Sequence, residues 1–405
     1  MATYYSALQA AARLGVSRQT LYSYVSRGLL RAHSGDSHRE RRYLIAEVNQ
    51  LATRRSRARS PVHAAADALN WGLPVVESSI CCIDAGRLYY RGKDVLSLIE
   101  MQSAEEVAAL LWQCSRHEAF AAVAPVSSNI RGRRLERNSA KSLVSSFALA
   151  GRDLPADSWQ AVTDRSARSY GDLVRMLAGC VLRTNPGAEP LREQCAKAWN
   201  LAPGEARLLE TALILCADHE LNASSFTVRC IASTEASLHA CVLGGLAALS
   251  GPRHGGMTMR VEALWNEVGE VANPEASLRA RLERGENLPG FGHQLYPDGD
   301  IRASAILSHL RSRRQRWRPL ARAAEQLTGL RPSLDFALVA LRRHLELPVG
   351  SALGIFSLGR SIGWIAHALE QRSQGTLIRP RAAYIGPPPE SSLNRPRYWR
   401  NELAE

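Results

Sequence analysis

The segment Glu205–Thr227 reads EARLLETALILCADHELNASSFT and shows the pattern that recurs through most of the chain. Its apolar residues are spaced as on one face of a helix, which predicts a buried helix over Glu205–Ala217. A polar cluster that begins at Asp218 follows at the helix end. Burying such a cluster is costly unless it is hydrogen-bonded or binds a ligand. His219 is therefore either a satisfied histidine at a helix terminus or a member of a site.

The same helical spacing extends outward from this segment along the chain. Shorter β-prone runs, Ser79–Ile83 and Leu88–Tyr90, come first and flank a predicted hairpin turn at Asp84–Arg87. The fold class is therefore predicted to be mainly α, with a short β-hairpin at the start of the main body. The predicted helices include Ala104–Cys114, Tyr170–Leu182, Ser237–Leu249, Thr258–Val268, Leu334–Leu345 and Gly350–Arg372.

Composition narrows the class of protein. The 405 residues are 45% hydrophobic and 22% charged, enough for a sizeable core and two or three domains. No apolar run approaches the roughly 18 residues of a spanning helix, and the start lacks a secretory layout, so a cytoplasmic protein without a membrane partner is expected. The eight cysteines form no C-x-x-C pair, which favours buried reduced thiols. No metal is expected, because Ala223 stands where a zinc helix would place its second histidine.

The first residues of the chain carry a separate signal. Residues 1–63 hold eleven arginines against three acidic residues, which indicates an acidic partner for this segment. Ala7–Leu14 has a helical pattern that stops at Gly15, and Ser17 is a good N-cap for a second helix from Arg18 to about residue 27. Two short helices joined by a glycine-containing turn predict a helix-turn-helix.

The stretch Ala10–Tyr22 resembles the DNA-binding modules of the MerR and excisionase type. The resemblance implies DNA binding, and the alternative is a helical hairpin that only docks on another protein surface. A basic wing strand is expected over Arg39–Leu44. The candidate DNA-binding residues, on the second helix and this strand, are Arg18, Gln19, Ser23, Tyr24, Arg41 and Arg42. The predicted organisation is a helix-turn-helix domain over residues 1–53, a basic linker over 54–74 and the main body over 75–405.

Three further polar residues of the body stand at predicted helix ends or loops. His254 lies between the breaker Gly251-Pro252 and two glycines, so a ligand can approach its backbone closely. His293 follows Gly290-Phe291-Gly292 in a similar setting. Asp335 falls in the first turn of a predicted helix that Ser333 can cap. Taken alone, each residue also has a purely structural interpretation. His254 could be a turn histidine, His293 an ordinary loop residue and Asp335 a structural first-turn aspartate.

Arg360 interrupts the apolar face of the long helix predicted over Gly350–Arg372. A buried guanidinium there should meet an anion or a partner carboxylate. The alternative is an arginine that snorkels to the protein surface.

The order and spacing of these segments resemble the citrate synthases and the related 2-methylcitrate synthases. The resemblance covers about residues 79 to 386. The motifs that carry it are Tyr90-Arg91-Gly92, Asp218-His219-Glu220-Leu221-Asn222-Ala223-Ser224, Gly251-Pro252-Arg253-His254-Gly255-Gly256, Gly290-Phe291-Gly292-His293, Asp335-Phe336, Arg360 through His367 and Arg379-Pro380-Arg381.

This resemblance implies a role for each matched residue. Asp335 would remove a methyl proton from an acetyl thioester, His254 would donate to the enolate oxygen, and His293 would polarise and protonate the carbonyl of the 2-oxoacid. The residues implied to hold the carboxylates of oxaloacetate are His219, Arg302, Arg360 and Arg379.

The resemblance also implies partners and domain movements. Acetyl-CoA is the co-substrate that leaves as CoA, no cofactor is bound permanently, and no metal is needed. Arg379 comes from a second subunit, so a homodimer or a larger assembly is expected, with a place in the tricarboxylic acid cycle. A large domain over residues 75–256 and 346–405 and a small domain over 257–345 would close on the substrate.

Several positions depart from the family pattern, and they alter the surroundings that would face CoA and the acyl group. Met257-Thr258-Met259 replaces the usual Ala-Asn-Glu, Pro297 replaces a basic residue, and Ile301 replaces a proline. The acyl donor therefore stays open, and 2-methylcitrate synthesis is an alternative within the enzyme class. A transcription regulator that senses a metabolite through a synthase-like body is the alternative from another class.

Overall fold

The computed structural model describes residues 4–26, 29–34, 41–45, 47–48, 51, 76–121, 140–153, 164–268, 273–310, 317–382 and 384–387. Contacts divide the chain into two units. One spans residues 78–379 and is called the body below. The other comprises residues 1–77 and 380–405 and is called the N-terminal unit. The predicted basic linker over 54–74 lies outside the described residues.

The body is built almost entirely of helices, which confirms the predicted fold class. The seven helices predicted by hydrophobic spacing are all present, with ends shifted by a few residues, because that spacing reports the buried face more sharply than the caps. The helices are Val95–Met101, Ala104–Trp112, Arg116–Ala119, Ala140–Ala150, Asp164–Leu182, Leu191–Trp199, Pro203–Cys216, Ala223–Ala232, Leu238–Leu249, Met257–Val268, Pro274–Glu283, Ile301–His309, Trp317–Thr328, Leu334–His344 and Ser351–Gln374, with a 3₁₀ turn at Gly151–Asp153.

A small antiparallel sheet precedes these helices. Cys81–Asp84 pairs with Arg87–Tyr90, as the predicted hairpin requires, and Lys93–Asp94 adds a third strand that the sequence did not indicate. Ala85 and Gly86 form the turn with positive φ angles of 47° and 75°. Backbone of that hand suits a two-residue hairpin loop.

The cysteine prediction is partly wrong. All eight cysteines are free thiols, but Cys82 is exposed. Successive side chains of a strand point to opposite faces. Cys81 and Ile83 are partly buried against the core, so Cys82, which lies between them on the strand, points to solvent.

The long helix Ser351–Gln374 forms the centre of the body. It is long and apolar enough to cross a membrane, but 94% of its apolar window is buried inside the fold, as in a core helix. Two glycines allow its close approach to the helix Pro203–Cys216. A Cβ atom at Gly359 would lie 2.5 Å from the carbonyl oxygen of Leu213, and one at Gly363 would lie 2.2 Å from that of Ala217. This contact holds the start of the 218–222 loop against the long helix.

The N-terminal unit contains the predicted pair of helices, Ala7–Leu14 and Arg18–Ser26. Gly15 joins them with a φ of 61°, and the Ser17 hydroxyl accepts a hydrogen bond from the Thr20 amide at 3.2 Å, as expected for an N-cap. The unit also contains a three-stranded sheet, with Arg41–Leu44 in the middle between Tyr4–Ser6 and His33–Ser34. The helix-turn-helix is therefore confirmed, and its described wing strand is Arg41–Leu44.

Candidate active site

His219 is held in a tight loop at the end of the helix Pro203–Cys216. Glu220 has a φ of 51°, which turns the chain, and Asn222 caps the next helix by accepting from the Ser224 amide at 3.1 Å and the Ser225 amide at 3.2 Å. The His219 side chain is buried, and its Nε2 lies 3.1 Å from the hydroxyl of Tyr296. The polar cluster is thus a turn that fixes an imidazole inside the body.

His254 is anchored through one ring nitrogen to Ser224. Its Nε2 lies 2.9 Å from the Ser224 hydroxyl, which also receives a hydrogen bond from the Trp364 indole at 3.1 Å. The Ser224 hydroxyl donates its single proton to Asn222 Oδ1 at 2.7 Å, and rotation of this hydroxyl would direct the proton to His254 Nε2 instead. When this proton points to His254 Nε2, a neutral imidazole keeps its own proton on Nδ1, where it can be donated to a substrate.

His293 lies on a loop that is tied to the segment before Asp335. The Gly292 amide donates to the Arg331 carbonyl, and the Ser333 amide donates to the Gly290 carbonyl, each at 2.8 Å. Within its loop, His293 Nδ1 accepts from the Leu295 amide at 3.2 Å. A neutral His293 therefore carries its proton on Nε2, the state of a hydrogen-bond donor to a carbonyl oxygen.

Asp335 is positioned at the start of the helix Leu334–His344. Ser333 occupies the N-cap position and Asp335 lies in the first turn, as predicted, but the Ser333 side chain makes no capping hydrogen bond. The carboxylate of Asp300 accepts from the Leu334 amide instead, at 3.0 Å. Asp335 Oδ1 is buried and has no hydrogen-bond partner within the part of the chain that the structure describes. Burial raises the pKa of Asp335 to about 7, against the lowering effect of the Arg302 charge.

The two buried arginines of the site differ in their pairing. Arg302 forms a double ion pair with Asp300, through Nε at 2.9 Å and Nη2 at 2.8 Å. Arg360 is only 1% exposed and donates to the Cys216 carbonyl at 2.7 Å, but among the described residues it meets no carboxylate. The surface interpretation of Arg360 is therefore wrong. A buried guanidinium without a counter-ion is costly, and an anionic ligand would offset that cost.

The electrostatics of the site keep its imidazoles neutral. Burial, reinforced by the Arg360 charge, lowers the pKa of His254 to about 4. Burial and the Arg302 charge lower the pKa of His293 to about 4 as well. Burial with both arginines depresses the pKa of His219 well below its ordinary value. Near neutral pH the site therefore combines neutral hydrogen-bond donors with a carboxyl group that is close to its ionisation point.

The structure does not bring every predicted site residue together. Arg379 is exposed beyond the end of the helix Ser351–Gln374 and makes no ion pair with the described residues. Its proposed origin from a second subunit stays a prediction.

Three residues that contact the site were not selected from the sequence. Ser224 stands inside a quoted motif, so its place in that motif was the available signal. Asp300 precedes Arg302 by two residues, and a carboxylate so close to an arginine hinted at pairing. Tyr296 carried no signal of its own, because its contact with His219 joins positions 77 residues apart.

The candidate nucleic-acid-binding residues of the N-terminal unit are accessible to different degrees. Arg18 and Gln19, at the start of the second helix, are exposed, as is Arg41 on the middle strand. Ser23, Tyr24 and Arg42 are half-buried.

The fold and these groups define a class of protein: a mainly helical enzyme whose buried acid–base groups lie beside guanidinium groups suited to an anionic substrate. Comparison with known proteins makes the class specific. Residues 68–381 match the family described as citrate synthase, C-terminal domain, and residues 4–56 match the helix-turn-helix domain family. The chain belongs to the citrate synthase family.

Individual relatives cover most of the body. Citrate synthase 2 of Bacillus subtilis is 32% identical over an alignment of 352 residues, which covers 78% of this chain and 95% of that protein. A 2-methylcitrate synthase of Mycobacterium tuberculosis is 30% identical over 74% of this chain and 84% of its own length. Among solved structures, citrate synthase from Thermotoga maritima superposes with a TM-score of 0.66 at 25% identity, covering 78% of this chain and 94% of that one.

The fold is also shared with a citrate synthase from Thermoplasma acidophilum, solved as a ternary complex with carboxymethyl coenzyme A and oxaloacetate. The TM-score is 0.68 at 24% identity, over 78% of this chain and 95% of that one.

Proposed function

We propose that this protein condenses a short acyl-CoA, in the first place acetyl-CoA, with oxaloacetate to give citrate and CoA. The observation that carries the proposal is Asp335, a buried carboxyl group with a pKa of about 7, one oxygen of which has no hydrogen-bond partner among the described residues. Such a group is suited to remove a proton from a weak carbon acid near neutral pH. The names of the relatives and the ligands of the Thermoplasma enzyme support this choice of substrates.

In the proposed first step, the ionised Asp335 takes a proton from the methyl carbon of the acetyl thioester. Negative charge then develops on the thioester oxygen. His254, neutral and held at Nε2 by Ser224, donates from Nδ1 to that oxygen. Because the ring is neutral, it stabilises the enolate as a hydrogen-bond donor and not as a cation.

In the second step, the enolate carbon attacks the keto carbon of oxaloacetate. The former keto oxygen then takes the Nε2 proton of His293. Arg302 and Arg360 hold the carboxylates of this acceptor, with His219 beside them and Arg379 supplied by a second subunit. Water then cleaves the citryl thioester, which releases citrate and the CoA thiol. No permanently bound cofactor or metal takes part in this scheme.

We further propose that the working protein is at least a homodimer of cytoplasmic location. A small domain over residues 257–345 would close on a large domain over 75–256 and 346–405. Closure would exclude water until the carbon–carbon bond has formed.

A thiol-release assay tests the enzymatic proposal. The full-length protein with acetyl-CoA and oxaloacetate should release free CoA thiol, and Asp335→Ala should abolish the release. The same assay with propionyl-CoA decides between citrate and 2-methylcitrate synthesis, since pocket shape sets that preference. The absence of thiol release with every short acyl-CoA and 2-oxoacid tried would contradict the proposal.

The N-terminal unit supports a second proposed function, binding of DNA by a metabolite-sensing regulator. A confirmed helix-turn-helix with exposed Arg18 and Gln19 on its second helix is the observation that favours it. Binding to DNA fragments should be salt-dependent and should change on addition of oxaloacetate, citrate or CoA. No DNA binding at low salt would leave protein docking as the role of this unit.

A further inference from the structure

Tyr296 lies at the meeting point of three site residues. Its side chain is 2% exposed, and its hydroxyl is 3.1 Å from His219 Nε2. Its ring centroid is 5.2 Å from that of His293, and the guanidinium carbon of Arg302 lies 5.3 Å from the ring centroid. The ring therefore packs against the acceptor-binding groups, and the hydroxyl contacts one of them.

The hydrogen bond between Tyr296 and His219 has a defined direction. Burial raises the pKa of Tyr296 above its ordinary value, so the phenol keeps its proton. Among the described residues this hydroxyl has no other acceptor within hydrogen-bond distance than His219 Nε2. A buried hydroxyl is satisfied only when its proton reaches an acceptor, so the phenol is the donor and Nε2 the acceptor.

This direction determines where His219 carries its own proton. A neutral imidazole has one proton, and Nε2 accepts, so the proton is on Nδ1. Nδ1 makes no hydrogen bond with the described part of the chain. The rings of His219 and His293 are perpendicular with centroids 5.0 Å apart, so the two imidazoles are direct neighbours.

We propose that Tyr296 is a positioning residue for the acceptor: its hydroxyl fixes His219 in the Nδ1–H tautomer and so makes this imidazole a donor to a carboxylate of the 2-oxoacid. The proposal rests on the proposed condensation for the identity of that ligand. The aromatic ring has a separate role, because it contacts the Arg302 guanidinium by a cation–π interaction while Asp300 forms the ion pair with it.

The test is Tyr296→Phe, which keeps the ring and the cation–π contact and removes only the hydroxyl. The KM for oxaloacetate should rise about tenfold, the loss expected when one hydrogen bond to a charged group is misdirected, while kcat changes by less than about twofold. With ¹⁵N-labelled histidine, the nitrogen shifts of His219 should move from the Nδ1–H pattern towards Nε2–H. The His219 signals are assigned from their absence in His219→Gln.

Tyr90→Phe is the matched control. The Tyr90 hydroxyl is also buried, but it bonds to the Ile214 carbonyl at 3.0 Å and the Asp218 amide at 3.1 Å, not to His219. Its loss should lower the melting temperature and leave the His219 proton on Nδ1.

An unchanged tautomer in Tyr296→Phe would overturn the proposal, as would an equal rise in KM in both variants. A wild-type protein that releases no thiol would contradict the proposed condensation instead. The nitrogen shifts would still decide whether Tyr296 sets the tautomer.

Discussion

The two units of this chain use arginine in opposite ways. In the body, Arg302 and Arg360 are buried, one paired with Asp300 and the other without a carboxylate among the described residues. In the N-terminal unit, Arg18 and Arg41 are exposed. A buried guanidinium selects a small anion of one shape and responds weakly to salt, whereas exposed ones suit an extended polyanion and are screened. Substitutions of the buried arginines and of the exposed arginines should therefore affect the two proposed functions separately.

The largest expected effect concerns the body alone. Asp335→Asn should lower kcat about a thousandfold, within the range of a lost general base, because the amide cannot take the methyl proton. DNA binding by the N-terminal unit should be unchanged. Asp298→Asn, which removes an exposed carboxylate two residues before Asp300, serves as the control in the same thiol-release assay. Activity close to wild type in Asp335→Asn would contradict the assignment of the base.

Arg360→Leu should weaken oxaloacetate binding about a hundredfold, the loss of about two charge-assisted hydrogen bonds. The free protein should melt no lower than wild type, since the substitution removes a buried cation that pairs with no carboxylate in the described part of the chain. Calorimetric titration and the melting temperature with and without oxaloacetate measure both effects. Arg322→Leu, on an exposed face of Trp317–Thr328, should change neither. Equal affinities in the two variants would refute the role of Arg360.

The pH dependence of kcat/KM should come from the ionisation of Asp335 alone. With the pKa of Asp335 at about 7, kcat/KM should fall about tenfold for each pH unit below 7. His254 and His293, each with a pKa of about 4, should add no transition between pH 5 and 9. A second transition near pH 6 would show that one of these imidazoles becomes charged in the working site.

Ionisation of Asp335 should activate the enzyme as pH rises, but the same ionisation should lower the stability of the fold. Because the folded-state pKa of Asp335 is raised above its ordinary value of 3.8, ionisation costs stability as pH rises from about 4 to about 7. Asp335→Asn should therefore melt higher than wild type at pH 8 and about equally at pH 4. Thermal unfolding at the two pH values is the measurement.

The smallest effect belongs to the N-terminal unit. Arg18→Ala should weaken DNA binding several-fold and reduce the salt slope by about one, as for a single lost phosphate contact. Thiol release should be unaffected. Electrophoretic shifts at several salt concentrations measure the slope, with Arg322→Ala as the control. An unchanged slope would remove Arg18 from the predicted interface.

Much of the fold followed from the sequence, because helical periodicity of apolar residues reports burial directly. The helices around His219, His254 and Asp335 and the Arg18 helix were predicted within a few residues. The prediction was weaker where function depends on contacts between distant segments. Ser333 looked like the cap of the Asp335 helix, but the carboxylate that bonds to Leu334 belongs to Asp300, 34 residues earlier. A contact between residues so far apart in the chain cannot be predicted from the local sequence around either one.

Asp300 links Arg302 to the helix that contains Asp335, and this link affects how the protein responds to substitutions at either residue. One of its oxygens accepts from the Arg302 side chain and amide, and the other bonds both to Arg302 and to the first amide of the Asp335 helix. Arg302, proposed to bind the acceptor, and the helix that starts with the proposed base Asp335 are therefore held by the same carboxylate. Substitutions at Arg302 and Asp335 should be thermodynamically coupled, so that a double-mutant cycle departs from additivity. Replacing Asp300 by Asn should abolish that coupling, since a single neutral amide cannot hold both Arg302 and that helix.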